Sequence, residues 1–245
     1  MHRRGIVVSR VNSRSEGAPI ELEPADIEIV NYVRSNNLSM GSTQNLYATA
    51  LACRYIVNME IEGDFVECGV YRGGHSIIAA EIFKRFGANK KVFLFDTFRG
   101  MTEPGEKDFQ LYSETPALLK YKANKKQDHV SWAYSSLGEV RNNFHKLKLA
   151  DSNVIFIEGD VLQTIPSNMK LFKSISFLRL DTDWFDSTKI ELDFFYPILS
   201  KSGVIVVDDY GSWEGSKRAT DEYFYGKNRP FFSLIDGGAR LGIKP

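Results

Sequence analysis

Five short apolar runs, each about the length of a buried strand, most constrain how this chain can fold. The runs are DFVECG, KVFLFD, NVIFIEGD, ISFLRLD and SGVIVVDD, and helix-like stretches lie between several of them. Their apolar residues are nearly continuous rather than alternating, which is typical of strands covered on both faces of a parallel sheet. Parallel neighbours need crossover connections, usually helices. The pattern predicts an α/β fold with a doubly wound, mostly parallel sheet and helices on both faces.

Helical spacing and turn residues extend this prediction to the remaining segments. We predict helices over residues 24–35, 42–59, 75–86, from 136 onward, 187–199 and 213–225. In the crossover helix 187–199, Ser187 or Thr188 is expected to cap the start, and an apolar face should pack in the core. That face consists of Ile190, Phe194, Phe195 and Ile198. The segments FFSLID and RLGIKP, separated by Gly237-Gly238, predict a C-terminal antiparallel hairpin.

Length and composition limit the domain organisation. A chain of 245 residues accommodates one large α/β domain more readily than two. We expect a flexible N-terminal tail over residues 1–20 and a single domain over 21–245. The polar, irregular stretch 97–135 is too long for an ordinary connection, and it predicts a lid-like insertion.

Charge and cysteine usage limit the partners and the compartment. The chain has 31 basic and 31 acidic residues, so no overall field draws it toward nucleic acid or an anionic membrane. The N-terminal apolar run Ile6 to Val8 is too short for a membrane span. Cys53 and Cys68 lie in apolar patterns without metal-type or redox-type spacing, which suits a reducing cytoplasm.

Four carboxylates follow the last two predicted parallel strands. Asp181 and Asp183 end one strand, and Asp208 and Asp209 end the other. The carboxyl ends of neighbouring parallel strands meet at one edge of the sheet, where ligands bind in this architecture. Acids placed so close repel one another unless a cation neutralises them. The sequence therefore predicts a site for a hard divalent metal with oxygen ligands.

A glycine-containing loop, Gly69 to Gly74, lies between the first strand and the next helix, and we call it the glycine loop. Its glycines allow close approach of a ligand to the backbone, and the helix start offers free N–H donors. The dinucleotide fingerprint GxGxxG is absent, because Tyr71 occupies its middle position. Asp96 ends the second strand, where a carboxylate can accept hydrogen bonds from both hydroxyls of a ribose.

Other interpretations of the same residues are open at this point. Any single acid at a strand end can be a helix cap. Asp181-Thr182-Asp183 also matches the DxD motif with which glycosyltransferases hold Mn²⁺ and a sugar nucleotide, but this alternative leaves Asp208-Asp209 and the glycine loop without a role. Trp184, Tyr210 and Trp213 lie beside the acids in sequence and either stack on a sugar ring or belong to the core.

Four blocks together carry a resemblance to a known family. DFVECGVYRGGHS, KVFLFDTFRGM, DTDWFDST and VIVVDDYGSW resemble, in order and spacing, the macrocin O-methyltransferase family of metal-dependent sugar methyltransferases. The resemblance covers roughly Leu46 to Tyr225. It implies the class I S-adenosylmethionine-dependent methyltransferase fold, which is Rossmann-like. It also implies S-adenosylmethionine as cofactor, Mg²⁺ or another hard divalent cation, a sugar or glycoside acceptor, and a homo-oligomer that is a dimer or larger.

The resemblance also implies a role for individual residues. The cofactor-binding residues implied by it are Glu67, Gly69, Val70, Tyr71, Arg72, Gly73, Ser76, Asp96 and Asp160, with Asp96 on the ribose and Asp160 on the adenine. The implied metal ligands are Asp181, Asp208 and Asp209. Asp183 is the implied general base. The function expected from the sequence is thus S-adenosylmethionine- and Mg²⁺-dependent methylation of a sugar hydroxyl.

Overall fold

The computed structural model describes residues 17–151 and 153–245. Its α-helices are α1 (Pro24–Ser35), α2 (Thr43–Asn58), α3 (Gly74–Arg85), α4 (Ala117–Asn124), α5 (Leu137–Lys146), α6 (Val161–Asn168), α7 (Phe185–Ile198) and α8 (Glu214–Phe224). Its strands are β1 (Asp64–Cys68), β2 (Val92–Asp96), β3 (Val154–Glu158), β4 (Ile175–Leu180), β5 (Leu199–Val207), β6 (Ser233–Leu234) and β7 (Arg240–Ile243). A short 3₁₀ turn, Met169–Leu171, follows α6.

These strands form one sheet in the order β3-β2-β1-β4-β5-β7-β6. Strands β1 to β5 are parallel to their neighbours. Strand β7 pairs antiparallel with both β5 and β6. The predicted doubly wound, mostly parallel sheet with a C-terminal antiparallel hairpin is confirmed.

Successive strand residues supply two separate cores. Phe65 and Phe177 face one side, where their rings meet edge to face with centroids 5.0 Å apart. Val66 and Leu178 face the other side, and all four side chains are fully buried. Residues of α1, α2, α3 and α5 cover the first face, and residues of α6, α7 and α8 cover the second. Burial of each such side chain contributes about 1.5–3 kcal/mol, which explains the nearly continuous apolar runs.

The sheet order reverses at β1, which pairs with β2 on one side and β4 on the other. The loops that follow β1 and β4 touch there, since Asp181 N–H donates to the Cys68 carbonyl at 2.8 Å. Gly69 has φ +82°, and a Cβ built on it would lie 1.8 Å from the Asp181 carbonyl oxygen. Only glycine fits this contact. The reversal creates a crevice at the carboxyl edge of the sheet.

The crossover helix differs from the prediction at its start and on its face. Helix α7 begins at Phe185, so the predicted cap at Ser187 or Thr188 is wrong. Its first N–H is instead capped by Asp108, whose Oδ1 accepts from Phe185 at 2.9 Å. Phe195 is buried as expected, but Phe194 is 36% exposed and the ionisable Glu191 is fully buried. Glu191 thus occupies a position of α7 that helical spacing alone assigns to an apolar side chain.

The insertion 97–135 is more ordered than its composition suggests. It contains α4, and its first half is bound to the loop between β5 and α8. Leu111 N–H donates to the Ser212 carbonyl at 3.0 Å, and Glu214 N–H donates to the Phe109 carbonyl at 3.0 Å. These bonds hold the insertion beside the carboxyl edge of the sheet.

Two further findings concern α6 and the chain's first residues. Helix α6, which was not predicted, follows Asp160 and contains Pro166, a residue that obscures a helical pattern. Most of the predicted tail, residues 1–16, lies outside the described residues. Across the ranges that the structure describes, no helix is long and apolar enough to cross a membrane.

Candidate functional site

A cleft of about 1100 Å³, counting the space at its open mouth, lies at the carboxyl edge of the sheet. The loops after β1 to β5, the segment between α1 and α2, and the insertion form its walls. The predicted site residues that line it are Glu67, Gly69, Val70, Tyr71, Asp96, Asp160, Asp181, Asp183, Asp208 and Asp209. Arg72, Gly73 and Ser76 stand behind this lining.

Asp96 holds the glycine loop in place. Its Oδ2 accepts from Val70 N–H at 2.6 Å and from Tyr71 N–H at 3.2 Å, and its Oδ1 accepts from Phe98 N–H at 2.7 Å. Burial raises the pKa of Asp96, whereas these three backbone donors oppose the rise. The protein itself therefore supplies most of the hydrogen bonds that this carboxylate needs.

The residues behind the loop shape it from outside the cleft. Arg72 pairs with Glu139 at 3.2 Å on the surface. Gly73 adopts the left-handed conformation as the residue before α3. The Ser76 hydroxyl donates to Glu67, which is 1% exposed.

Asp160 lies on the β3 side of the cleft. Its Oδ1 accepts from Leu162 N–H at 2.9 Å and so caps α6. The carboxylate combines a place in the cleft wall with a structural role.

Three aspartates form what we call the acid cluster: Asp181, Asp208 and Asp209. One oxygen from each lies within 4.8 Å of the others. Asp209 is 8% exposed, and among the described residues its Oδ2 has no hydrogen-bond partner. Burial and the neighbouring carboxyls raise the pKa of both Asp181 and Asp209 well above the ordinary range. A buried oxygen without a donor, within an all-carboxylate set, fits a hard divalent cation.

Arg179 is a residue of the site to which the sequence analysis assigned no role. It is fully buried on β4, and its Nη2 donates to Asp181 Oδ2 and to Asp208 Oδ1, both at 2.7 Å. Burial by itself opposes the charge, but the carboxylates of Asp208, Asp181 and Glu67 raise the pKa of Arg179. The visible signal was a basic residue within the apolar run ISFLRL.

Asp183 lies beside the acid cluster but outside the hydrogen bonds of Arg179. Its φ of 67° is left-handed, a strained conformation that Asp tolerates better than most residues. The preceding Thr182 hydroxyl contacts Ser187 Oγ and Glu191 Oε1, each at 2.8 Å. Burial, together with the nearby Asp181 carboxyl, raises the pKa of Asp183 to about 8. The turn thus presents a carboxyl of high basicity to the cleft.

His75 also lines the cleft, although the sequence has no HxH or HExxH spacing that would have marked its histidines as candidate metal ligands. The side chain is 4% exposed, with Nδ1 2.8 Å from the Thr49 hydroxyl and Nε2 3.2 Å from the Ser39 hydroxyl. Burial, assisted by Arg179, lowers the pKa of His75 well below its usual range. The imidazole is therefore neutral at pH 7.

The aromatic wall of the cleft differs from the one considered from sequence. Within the described ranges, Trp184, Tyr210 and Trp213 are not part of the lining, whereas Trp132 of the insertion is. Trp184 is 3% exposed and belongs to the core. Trp132 contacts Trp184 and Trp213 with ring centroids 5.5 and 5.7 Å away. These three residues, all the tryptophans of the sequence, form what we call the tryptophan cluster.

Comparisons with known proteins agree with the geometry of the cleft. The model of the macrocin O-methyltransferase family (TylF) matches residues 34–230. Demethyldecarbamoylnovobiocin O-methyltransferase of Streptomyces niveus is 31% identical over 169 residues, which is 69% of this chain and 60% of that protein. The 8-demethyl-8-(2,3-dimethoxy-alpha-L-rhamnosyl)-tetracenomycin-C 4'-O-methyltransferase of Streptomyces olivaceus is 31% identical over 180 residues, covering 72% of this chain and 64% of that protein. The chain thus spans less than two thirds of either relative.

Solved structures show the same fold. The O-methyltransferase NovP superposes with a TM-score of 0.74 at 27% identity, covering 84% of this chain and 81% of that one. CalS11, a calicheamicin methyltransferase, superposes with a TM-score of 0.58 at 16% identity, covering 94% and 96% of the two chains. The family match extends over most of the sequence and includes the glycine loop, Asp96 and the acid cluster. The chain belongs to the macrocin O-methyltransferase family.

Proposed function

We propose that this protein transfers a methyl group from S-adenosylmethionine to a hydroxyl of a sugar or a glycosylated small molecule, with Mg²⁺ or a similar cation in the acid cluster. The observation that carries the proposal is the position of the acid cluster. This set of carboxylates, which leaves one buried oxygen of Asp209 without an N–H donor among the described residues, adjoins a glycine loop that Asp96 holds in the same cleft. The names of the two curated relatives, both O-methyltransferases and one of them acting on a rhamnosyl compound, support it.

The cofactor would occupy the side of the cleft formed by the loops after β1, β2 and β3. Glu67, Gly69, Val70 and Tyr71 would surround the methionine part, while Arg72, Gly73 and Ser76 support that loop from behind. A carboxylate has about four lone-pair sites, and backbone N–H groups already use three of those on Asp96. The Thr97 hydroxyl lies 3.5 Å from Asp96 Oδ1 but donates more closely, at 2.7 Å, to the Gly100 carbonyl, so Asp96 keeps capacity for one ribose hydroxyl without releasing the loop. Asp160 would approach the adenine.

The acid cluster would hold the cation through Asp181, Asp208 and Asp209. A bound Mg²⁺ lowers the pKa of a hydroxyl that coordinates it, as it does for metal-bound water. The carboxylates contribute by fixing where the acceptor oxygen is held relative to the cofactor. Alignment of the reacting atoms is what this chemistry needs most, since a sulfonium methyl is already electrophilic.

Asp183 would act as the general base. A free carboxylate has a pKa of roughly 4, which makes it a poor base for an alkyl hydroxyl. Burial raises the pKa of Asp183 to about 8, which brings its basicity closer to that of its substrate. Asp183 would take the proton of the acceptor hydroxyl as that oxygen bonds to the methyl carbon and the carbon–sulfur bond of S-adenosylmethionine breaks. The products are the methyl ether and S-adenosylhomocysteine.

The insertion would complete the acceptor side of the cleft as a lid. Trp132 offers an aromatic surface in the lining, and the ammonium of Lys120 lies 4.0 Å from the centre of that ring. An aromatic ring suits the apolar face of a sugar. A cytoplasmic location and a homo-oligomeric state, a dimer or larger, stay predictions; the buried free thiols of Cys53 and Cys68 suit a reducing compartment.

The glycosyltransferase alternative explains less of the molecule. It assigns a metal to Asp181-Thr182-Asp183 and leaves Asp208 and Asp209 without a role, although these two residues complete the acid cluster with Asp181. The relatives named above are methyltransferases.

Methyl transfer from labelled S-adenosylmethionine to free sugars, glycosides and nucleotide sugars, with and without EDTA, tests the proposal. We expect labelled product from at least one class, abolished by EDTA and restored by Mg²⁺. A parallel titration compares S-adenosylhomocysteine with UDP-sugars. Tight UDP-sugar binding without S-adenosylhomocysteine binding contradicts the methyltransferase function.

A further inference from the structure

We propose that Arg179 is a positioning residue that fixes the orientation of two metal-ligand carboxylates and joins them, through Glu67, to the cofactor side of the cleft. The inference rests on the metal site proposed above. It concerns the residue that orients the ligand carboxylates before a cation binds.

The guanidinium of Arg179 binds one oxygen of each of two carboxylates. Its Nη2 lies 2.7 Å from Asp181 Oδ2 and 2.7 Å from Asp208 Oδ1. Asn45 adds a second donor to Asp208 Oδ1 at 2.5 Å and accepts from Arg179 Nη1 at 3.1 Å. Asp181 Oδ1 and Asp208 Oδ2 are left outside these bonds, available to a cation.

The charge of Arg179 also allows the cluster to exist in the metal-free protein. Buried carboxylates without a counter-charge are costly to ionise. Arginine keeps its charge at any relevant pH and presents several donors in one rigid plane. Here that plane reaches Glu67, Asn45, Asp181 and Asp208 at once. A lysine at this position would keep the charge but lose this arrangement.

The same side chain connects the two halves of the cleft. Arg179 Nε donates to Glu67 Oε1 at 3.2 Å, and the other carboxyl oxygen of Glu67 accepts from Ser76 of α3. Glu67 lines the cofactor side. A ligand that alters Glu67 therefore acts on the guanidinium that orients Asp181 and Asp208. Binding of cofactor and cation should be coupled, with each raising the affinity for the other.

Calorimetric titration of Mn²⁺ and Mg²⁺ into the EDTA-treated full chain, with and without S-adenosylhomocysteine, tests this role without measuring activity. For Arg179→Lys we expect cation affinity to fall about 10–100-fold, as for other outer-shell ligand supports. The increase in cation affinity that S-adenosylhomocysteine causes, about fivefold or more in the wild type, should disappear. Arg85→Lys is the matched control, because Arg85 pairs with the buried Asp26 away from the cleft.

A second variant covers the case in which Arg179→Lys does not fold. Asn45→Ser removes one donor to Asp208 and one acceptor for Arg179, and we expect a smaller loss, about 3–10-fold. Circular dichroism and thermal unfolding of each EDTA-treated variant establish that it is folded. A folded Arg179→Lys protein with wild-type cation affinity overturns the proposal. A wild-type chain that binds neither cation contradicts the metal site itself, and the role of Arg179 with it.

Discussion

Two buried aspartates of the same cleft, Asp96 and Asp209, have opposite surroundings. Asp96 is the last residue of β2 and Asp209 lies just after β5, both at the carboxyl edge of the sheet. Asp96 accepts from three backbone N–H groups of the adjoining loops. Asp209 has a buried Oδ2 that no N–H group in the described parts of the chain reaches, and its side chain meets other carboxyls, those of Asp183, to which it is hydrogen-bonded, and Asp208.

The difference shows how one residue type in one topological position serves two purposes. Asp96 is completed by the protein, so its carboxylate organises the glycine loop before any ligand arrives. Asp209 is left incomplete, and a divalent cation supplies what the protein does not. The distinction depends on the donors of the neighbouring loop rather than on burial, which raises the pKa of both side chains.

The largest expected effect comes from removing a ligand of the acid cluster. Asp209→Asn should lose methyl transfer by about 10³-fold, because metal-ion stabilisation contributes several kcal/mol and each 1.36 kcal/mol is tenfold. S-adenosylhomocysteine binding should persist, weakened only by loss of its roughly fivefold coupling to the cation, since its proposed contacts lie on the other side of the cleft. Initial rates at saturating Mg²⁺ and a binding titration measure the two. Full activity in Asp209→Asn contradicts the assignment.

Stability should separate the two aspartates by sign. In EDTA, Asp96→Asn should lose about 2 kcal/mol, since hydrogen bonds to a charged acceptor are lost and an amide donor faces backbone donors. Asp209→Asn should gain about 1 kcal/mol, because it removes the cost of burying an acid among other carboxyls. Urea unfolding of the matched pair measures both values. Equal losses would remove the distinction between the two sites.

The pH dependence of stability should follow from the same crowding of acids. The folded chain raises the pKa of Glu67 to about 7 and that of Asp183 to about 8, in each case chiefly by burial. Because the native state then binds more protons than the unfolded state between about pH 4 and 8, stability of the EDTA-treated protein should fall as pH rises through that window. Because each pKa unit corresponds to about 1.36 kcal/mol, the expected loss is on the order of several kcal/mol. Denaturant titrations at several pH values, with and without Mg²⁺, measure this loss. A free energy of unfolding that does not change with pH in EDTA contradicts the raised pKa values of these two acids.

A smaller effect is expected on the acceptor side. Trp132→Ala should raise KM for the sugar acceptor about fivefold, corresponding to about 1 kcal/mol of ring contact, and leave S-adenosylhomocysteine affinity unchanged. Tyr112→Ala is the control, since Tyr112 lies in the same insertion and is 82% exposed. Unchanged KM in Trp132→Ala removes this residue from the acceptor wall.

The strands, and the aspartates at their carboxyl ends, could be predicted because the sequence signals for them are local. An apolar run that ends in an acid encodes both the strand and the position of the carboxylate, and parallel strands bring such ends together. Gly237-Gly238 marked the hairpin in the same way. These features can be predicted without knowing which strands are neighbours in the sheet.

The partners of Arg179 could not be predicted, because they depend on strand register. Glu67 and Arg179 are direct neighbours across β1 and β4 although 112 positions separate them. The cap of α7 by Asp108 crosses 77 positions, and Trp132 joins the cleft only because the insertion folds back. Helix α6 was missed for a local reason, since Pro166 interrupts its pattern.

Cation binding to the EDTA-treated chain, measured by calorimetry in two buffers of different ionisation enthalpy, tests the central claim most directly. The cluster binds protons more tightly than ordinary aspartates do, and ligand carboxyls must be ionised. The account predicts one Mg²⁺ or Mn²⁺ per chain, bound with release of protons, and no binding by Asp209→Asn. Absence of binding in the wild type, or equal binding by Asp209→Asn, would contradict it.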